Sequence, residues 1–103
     1  MKTRLLLVDD HAVVRSGLRM LLNGHTELEI VGEAGTAEEA LQKTGELHPD
    51  LILMDIGLPD KTGIEATREI KKNFPDVKIV ALTIHEDEEY FFQMLNAGAS
   101  GYV

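Results

Sequence analysis

Three aspartates and a threonine stand where apolar runs stop. Leu5-Leu6-Leu7-Val8 runs into Asp9 and Asp10, Leu51-Ile52-Leu53-Met54 into Asp55, and Ile79-Val80-Ala81-Leu82 into Thr83. If the runs are neighbouring parallel strands, three carboxylates and a hydroxyl converge at one end of a sheet. Carboxylates held close together repel, so either some are protonated or a cation lies among them. With all-oxygen ligands and no His or Cys at matching positions, a hard cation such as Mg²⁺ (or Mn²⁺) suits the set, held by few carboxylates and several waters. An ion with open positions invites a phosphoryl oxygen, and Asp55 then becomes a candidate nucleophile for an aspartyl-phosphate.

Each of these residues also has a plainer use. An Asp pair after a strand commonly caps a helix and makes a turn. Asp55 alone could start a turn before Gly57-Leu58-Pro59-Asp60, and Thr83 alone is an ordinary strand-end threonine. Their joint placement on three interior runs is what favours a site, because ligands of open α/β sheets sit outside the carboxyl ends of the strands.

The elements that must position them follow from periodicity and punctuation. After Asp10, apolar residues at Val14, Leu18, Leu21 and Leu22 have helical spacing, which turns Arg15 and Arg19 outward, and Asn23-Gly24 stops the helix. Leu28 to Ala34 alternates, with Leu28 and Ile30 on one face and Glu29 and Val31 on the other, as an edge strand would. The runs at 5–8, 51–54 and 79–82 are apolar at successive positions, as expected of interior strands covered on both faces. Thr36-Ala37-Glu38-Glu39 fits a capping box that opens a helix to about Leu47, and Thr62-Gly63-Ile64-Glu65 fits a second, with Ile64, Thr67 and Ile70 inward until Asn73-Phe74-Pro75. A fourth helix opens at Glu86-Asp87-Glu88-Glu89 and closes at Asn96-Ala97-Gly98, and a fifth strand begins at Ser100. Four β-α units and a last strand predict a parallel sheet with helices on both faces and right-handed crossovers.

Composition narrows the function classes. The 103 residues suit one small domain. Eighteen acidic against ten basic residues give a formal net charge of -8, which disfavours phosphate backbones and anionic membrane surfaces, so direct nucleic-acid binding is not expected. Without cysteine there is neither a disulfide framework nor a thiolate metal site. No apolar stretch approaches the roughly 20 residues of a membrane span, and a soluble cytoplasmic domain is expected. Of the histidines, His11 and His85 lie beside the site, where a ligand role is open but surface or capping roles are favoured, while His25 and His48 sit in turns. Tyr90, Phe91, Phe92, Met94 and Leu95 exceed one helix face, which leaves core packing and a partner surface both open.

The chain closely resembles the receiver domain of two-component response regulators. The resemblance is carried by Leu7-Val8-Asp9-Asp10-His11, by Asp50 to Pro59 with Gly63, by Leu82-Thr83 and by Ala97-Gly98-Ala99-Ser100-Gly101-Tyr102. Val8-Asp9-Asp10-His11 with Arg15, Gly17 and His85 is most similar to the NarL/FixJ (LuxR-type) subfamily. The resemblance implies a flavodoxin-like, doubly wound α/β fold with strand order 2-1-3-4-5. It implies that Asp55 accepts a phosphoryl group from a sensor histidine kinase, that Asp9, Asp10, Asp55 and the main-chain carbonyl of Gly57 hold Mg²⁺, that Thr83 contacts the phosphoryl group, and that Tyr102 turns inward as the switch aromatic. It further implies a C-terminal helix-turn-helix DNA-binding domain in the full-length protein, and it is compatible with a homodimer.

One departure matters. The family lysine that pairs with the phosphoryl group falls two residues beyond Val103, and the final helix that packs beside the first is missing too, so a truncated receiver is expected, with the apolar face near Leu5 to Val8 partly open. Two rival classes are a Mg²⁺-dependent phosphohydrolase, against which Gly57 stands where an acid/base carboxylate is needed, and a pseudo-receiver that only binds partners. Ile84 is bulkier than the small residue many receivers carry after the threonine and should hinder an attacking water. Ile84→Ala in the full-length protein is therefore expected to shorten the phosphorylated lifetime several-fold, followed as phosphate release. An unchanged rate would remove the idea.

Overall fold

The apolar runs become strands because successive apolar side chains can be buried only where both faces of a sheet are covered. The computed structural model describes residues 2–82 and 96–102, the side chains of 101 and 102 excepted. In chain order the elements are β1 (Thr3–Val8), α1 (Ala12–Leu22), β2 (Leu28–Ala34), α2 (Ala37–Leu47), β3 (Leu51–Asp55), α3 (Gly63–Asn73), β4 (Lys78–Leu82) and β5 (Gly101–Tyr102). They form one five-stranded sheet in the order β2-β1-β3-β4-β5, every pair parallel. The fold class, the order and the three interior strands are those expected. Asn96 and Ala97 are helical and Gly98 follows at φ 109, as the expected close of the fourth helix requires, while the body of that helix lies outside the described residues.

Two expected caps form. The Thr36 hydroxyl accepts from the Glu39 amide at 3.0 Å, and the Glu39 carboxylate accepts from the Gly35 amide at 3.2 Å, so two free donors at the start of α2 are satisfied reciprocally. Thr62 does the same for the Glu65 amide at 3.2 Å. A third device was not foreseen. Asp60, in the loop between β3 and α3, accepts from the amides of Ala37 and Glu38 at 2.8 and 3.0 Å, which ties that loop to the N-terminus of α2. These two main-chain bonds hold the Asp60 carboxyl below its ordinary value.

The sheet buries Leu6, Val8, Ile52, Met54 and Ile79 against Ile64, Ala66 and Ile70 of α3 and Ala37 and Ala40 of α2. Ile64, Thr67 and Ile70 all point inward as predicted. β2 departs from simple alternation. Its register against β1 slips between Leu5, opposite Ile30, and Leu6, opposite Gly32, so Val31 is the extra residue of a bulge.

Three expectations on the α1 side are corrected. Leu5, Leu6, Leu7 and Val8 are all at most 2% exposed, so neither face of β1 lies open. The exposure falls on α1 instead, none of whose residues is fully buried; Val13, Met20 and Leu21 are 84%, 80% and 73% exposed, and Val14 is exposed too, although Val14 and Leu21 were expected to face inward. Arg15 and Arg19 do not simply face solvent, because both are drawn to Glu33 on β2.

α3 is packed so closely that one position admits no side chain. A Cβ on Gly63 would stand 2.2 Å from the Asp55 carbonyl oxygen and 2.8 Å from the Ile56 Cα, both main-chain atoms that cannot swing aside. Gly63→Ala is expected to destabilise the fold by at least roughly 2 kcal/mol in chemical denaturation. A change under about 0.5 kcal/mol would show that α3 shifts freely.

Candidate metal centre

Parallel pairing sets the three acids at one level. Val8 pairs with Met54 and Asp55 pairs with Leu82, so Asp9, the residue after Val8, comes beside Asp55, the residue after Met54. Carboxylate oxygens of Asp9, Asp10 and Asp55 and a ring nitrogen of His11 all lie within 4.8 Å of one another. The expected convergence of Asp9, Asp10 and Asp55 is present. Thr83, Ile84 and His85 lie outside the described residues. Tyr102 pairs with Ala81 through its backbone, and its side chain is likewise outside the description.

Asp9 is the buried member, at 6% exposure. Its Oδ1 accepts from the His11 amide at 2.8 Å, a short side-chain turn before α1. The plain turn-making use expected of the Asp pair is thus seen at Asp9. Asp55 Oδ1 accepts from the Gly57 amide at 3.2 Å. Burial first, and then the charges of Asp9 and Asp10, raise the Asp55 carboxyl above its ordinary value, although the Gly57 amide and His11 oppose this. Gly57 is exposed, and a Cβ built there would meet nothing within 4 Å.

His11 was expected at the surface or as a cap. It occupies the N-cap position of α1 without making a side-chain cap bond. Its Nδ1 lies instead 2.9 Å from Asp9 Oδ1 and 3.0 Å from Asp10 Oδ1. The hydrogen bond to Asp9, followed by the charges of Asp10 and Asp9, holds the imidazole above its ordinary value. The ring thus partly offsets the acidic charge from the open side. Its position immediately after an Asp pair is the signal in the sequence for this placement.

Three carboxylates at mixed depth, one nearly buried, suit a hard divalent cation, although the His11 nitrogen among them departs from the all-oxygen set expected. A cleft of about 680 Å³ lies elsewhere, lined by Thr44, His48, Asp50, Phe74 and Lys78 near the opposite ends of the strands. Volume and chemistry disagree here, and the chemistry is at the acidic end.

A doubly wound parallel sheet with acids at the carboxyl ends of adjacent central strands defines a class of α/β domain that works at its strand tips. The match to known proteins narrows this: residues 5–103 fit the response regulator receiver domain family, and the chain belongs to it. It is 44% identical over 100 residues to the response regulator GacA of Pseudomonas viridiflava, covering 97% of this chain and 47% of that protein. It is 44% identical over 101 residues to the oxygen regulatory protein NreC of Staphylococcus epidermidis, covering 97% and 46%. A LuxR-family two-component response regulator from Aurantimonas sp. superposes with a TM-score of 0.95 at 39% identity, covering 99% of this chain and 73% of that one. These relatives support the NarL/FixJ subfamily, and the chain spans about half the length of the curated relatives it matches. The matched family is one of signalling receiver domains. Among the described residues no helix is long and apolar enough to cross a membrane.

The raised Asp55 carboxyl has a measurable sign. The folded state keeps its proton to higher pH than the unfolded chain, so it binds more protons across that window and stability falls as pH rises through it. With no divalent cation at neutral pH, Asp55→Asn should melt a few degrees higher than the wild type, on the order of 1 kcal/mol for a domain of this size. The gap should shrink on acidification. A lower Tm for the variant would contradict the unfavourable placing of the Asp55 charge.

Proposed function

We propose that this domain is the phosphoacceptor switch of a transcriptional regulator, with Asp55 receiving a phosphoryl group from a sensor histidine kinase. The supporting observation is the approach of three carboxylates to within 4.8 Å at the strand tips of a receiver-family chain. The Asp55 carboxylate attacks phosphorus as the phosphorus–nitrogen bond of a phosphohistidine breaks, and the imidazole leaves with the bonding pair. Asp9, Asp10, Asp55 and the Gly57 carbonyl are the residues that would hold Mg²⁺, which when bound neutralises charge on the transferring group. Asp9 gives that set its fixed point, since it is buried and bonded at its amide.

Thr83 and Tyr102 take the reporting roles in this reading: the hydroxyl contacts the phosphoryl oxygens, and the aromatic ring turns inward as the intervening loop closes. The relatives are about twice as long as this chain, and the full-length protein on this reading carries a receiver lysine and final helix after Val103, then a helix-turn-helix domain that binds DNA. The apolar stripe of Val13, Met20 and Leu21 on α1 suits the packing of that helix. The setting is the cytoplasm, where kinase and output meet, and a second copy of the protein is a compatible partner.

The test is intact mass after incubating full-length protein with acetyl phosphate and Mg²⁺. A gain of one phosphoryl group in the wild type, absent in Asp55→Ala and absent with a chelator, is the expected outcome. No gain in the wild type would favour a receiver that acts only by binding.

A further inference from the structure

The β1–β2 and β1–β3 ladders stop at Val8, so Asp9 and Asp10 lie just beyond the regular pairing that would fix their direction. Asp9 is nevertheless held on both sides of its Cα, by β2 at its amide and by α1 at its carbonyl. Its amide donates to the Ala34 carbonyl at 3.0 Å. Its own carbonyl accepts from Nη1 of Arg15. Arg15 is in turn anchored at Nε, which donates to Glu33 Oε1 at 3.1 Å, and Glu33 is the residue before Ala34. The other Glu33 oxygen accepts from Arg19 at 3.1 Å (Nε) and 2.5 Å (Nη2), which fixes the carboxylate. The Arg15 side chain is only 22% exposed and that of Glu33 30%, so the chain of contacts is partly shielded.

We propose that Arg15, seated on Glu33, is a positioning residue for the cation site. The Asp9 carbonyl belongs to the peptide unit joining the two acids, and that unit is planar. Holding its oxygen sets the direction in which Asp10 leaves the strand, and with it the separation of the two carboxylates. A guanidinium suits the task because its fork is rigid and donates to two acceptors at once, which a lysine cannot reproduce. The proposal rests on the reading that Asp9 and Asp10 hold Mg²⁺.

Charge and geometry predict opposite signs, which makes the idea testable. A positive side chain bonded to the main chain of this site disfavours a divalent cation by repulsion, so its removal should tighten Mg²⁺ binding if charge alone mattered. If Arg15 positions the ligands, its removal should loosen binding. Calorimetric titration of the full-length protein with MgCl₂ at constant ionic strength, with thermal melts to verify folding, separates the two. Arg15→Gln is expected to bind about 10-fold more weakly, the usual loss when the support of a metal ligand is removed. Arg15→Lys keeps the charge, so repulsion alone predicts no change, and it should also lose affinity. Arg15→Gln binding as tightly as the wild type or tighter overturns the proposal; should that variant fail to fold, unaltered binding by Arg15→Lys overturns it. A wild type that takes up no Mg²⁺ overturns the metal reading, and the proposal with it.

Discussion

The mutual repulsion of carboxylates at the tips of adjacent strands is the constraint to which the rest of the structure answers. Asp9, Asp10 and Asp55 meet because β1 and β3 are parallel neighbours in a register that leaves their ends level. No local choice could bring residues 9 and 55 together without that pairing. The unfavourable charge is held by apolar burial below it. Leu6, Ile52 and Met54 are fully buried, and each such side chain contributes about 1.5–3 kcal/mol relative to exposure.

Around the acids the chain is fastened by polar contacts, since the ladders end where the chemistry begins. Asp9 is tied to β2 through Ala34 and Arg15, Asp55 to the Gly57 amide, and the following loop to α2 through Asp60. His11 reaches in from the start of α1. The site is thus built by groups from both sides of the reversal in strand order between β1 and β3, where doubly wound sheets place their ligands.

How much of this could be read from the residues depended on how local each signal was. The apolar runs, the two threonine caps and the stops at Asn23-Gly24 and Asn73-Phe74-Pro75 act over a few residues, and all appear where the spacing placed them. The three acids were legible because each ended a run. Arg15 was misjudged since helical spacing alone sends it outward, and nothing in α1 shows that Glu33 and the Asp9 carbonyl lie opposite. Asp60 was missed for the same reason, its partners standing 22 and 23 residues earlier. The bulge at Val31 broke an alternation that sequence could only assume regular. Thr83, and the helix from 86 onward apart from its close, stay outside the described residues.

The two glycines flanking the β3–α3 loop set unequal terms for inheritance. At Gly63 any side chain strikes the Asp55 main chain, whereas at Gly57 a side chain would enter open space beside the acids. Descendants of this sequence can therefore explore position 57 at little structural penalty while position 63 stays closed to them. Chemical character at the acidic centre can drift through a single codon, with the scaffold beneath it left unaltered.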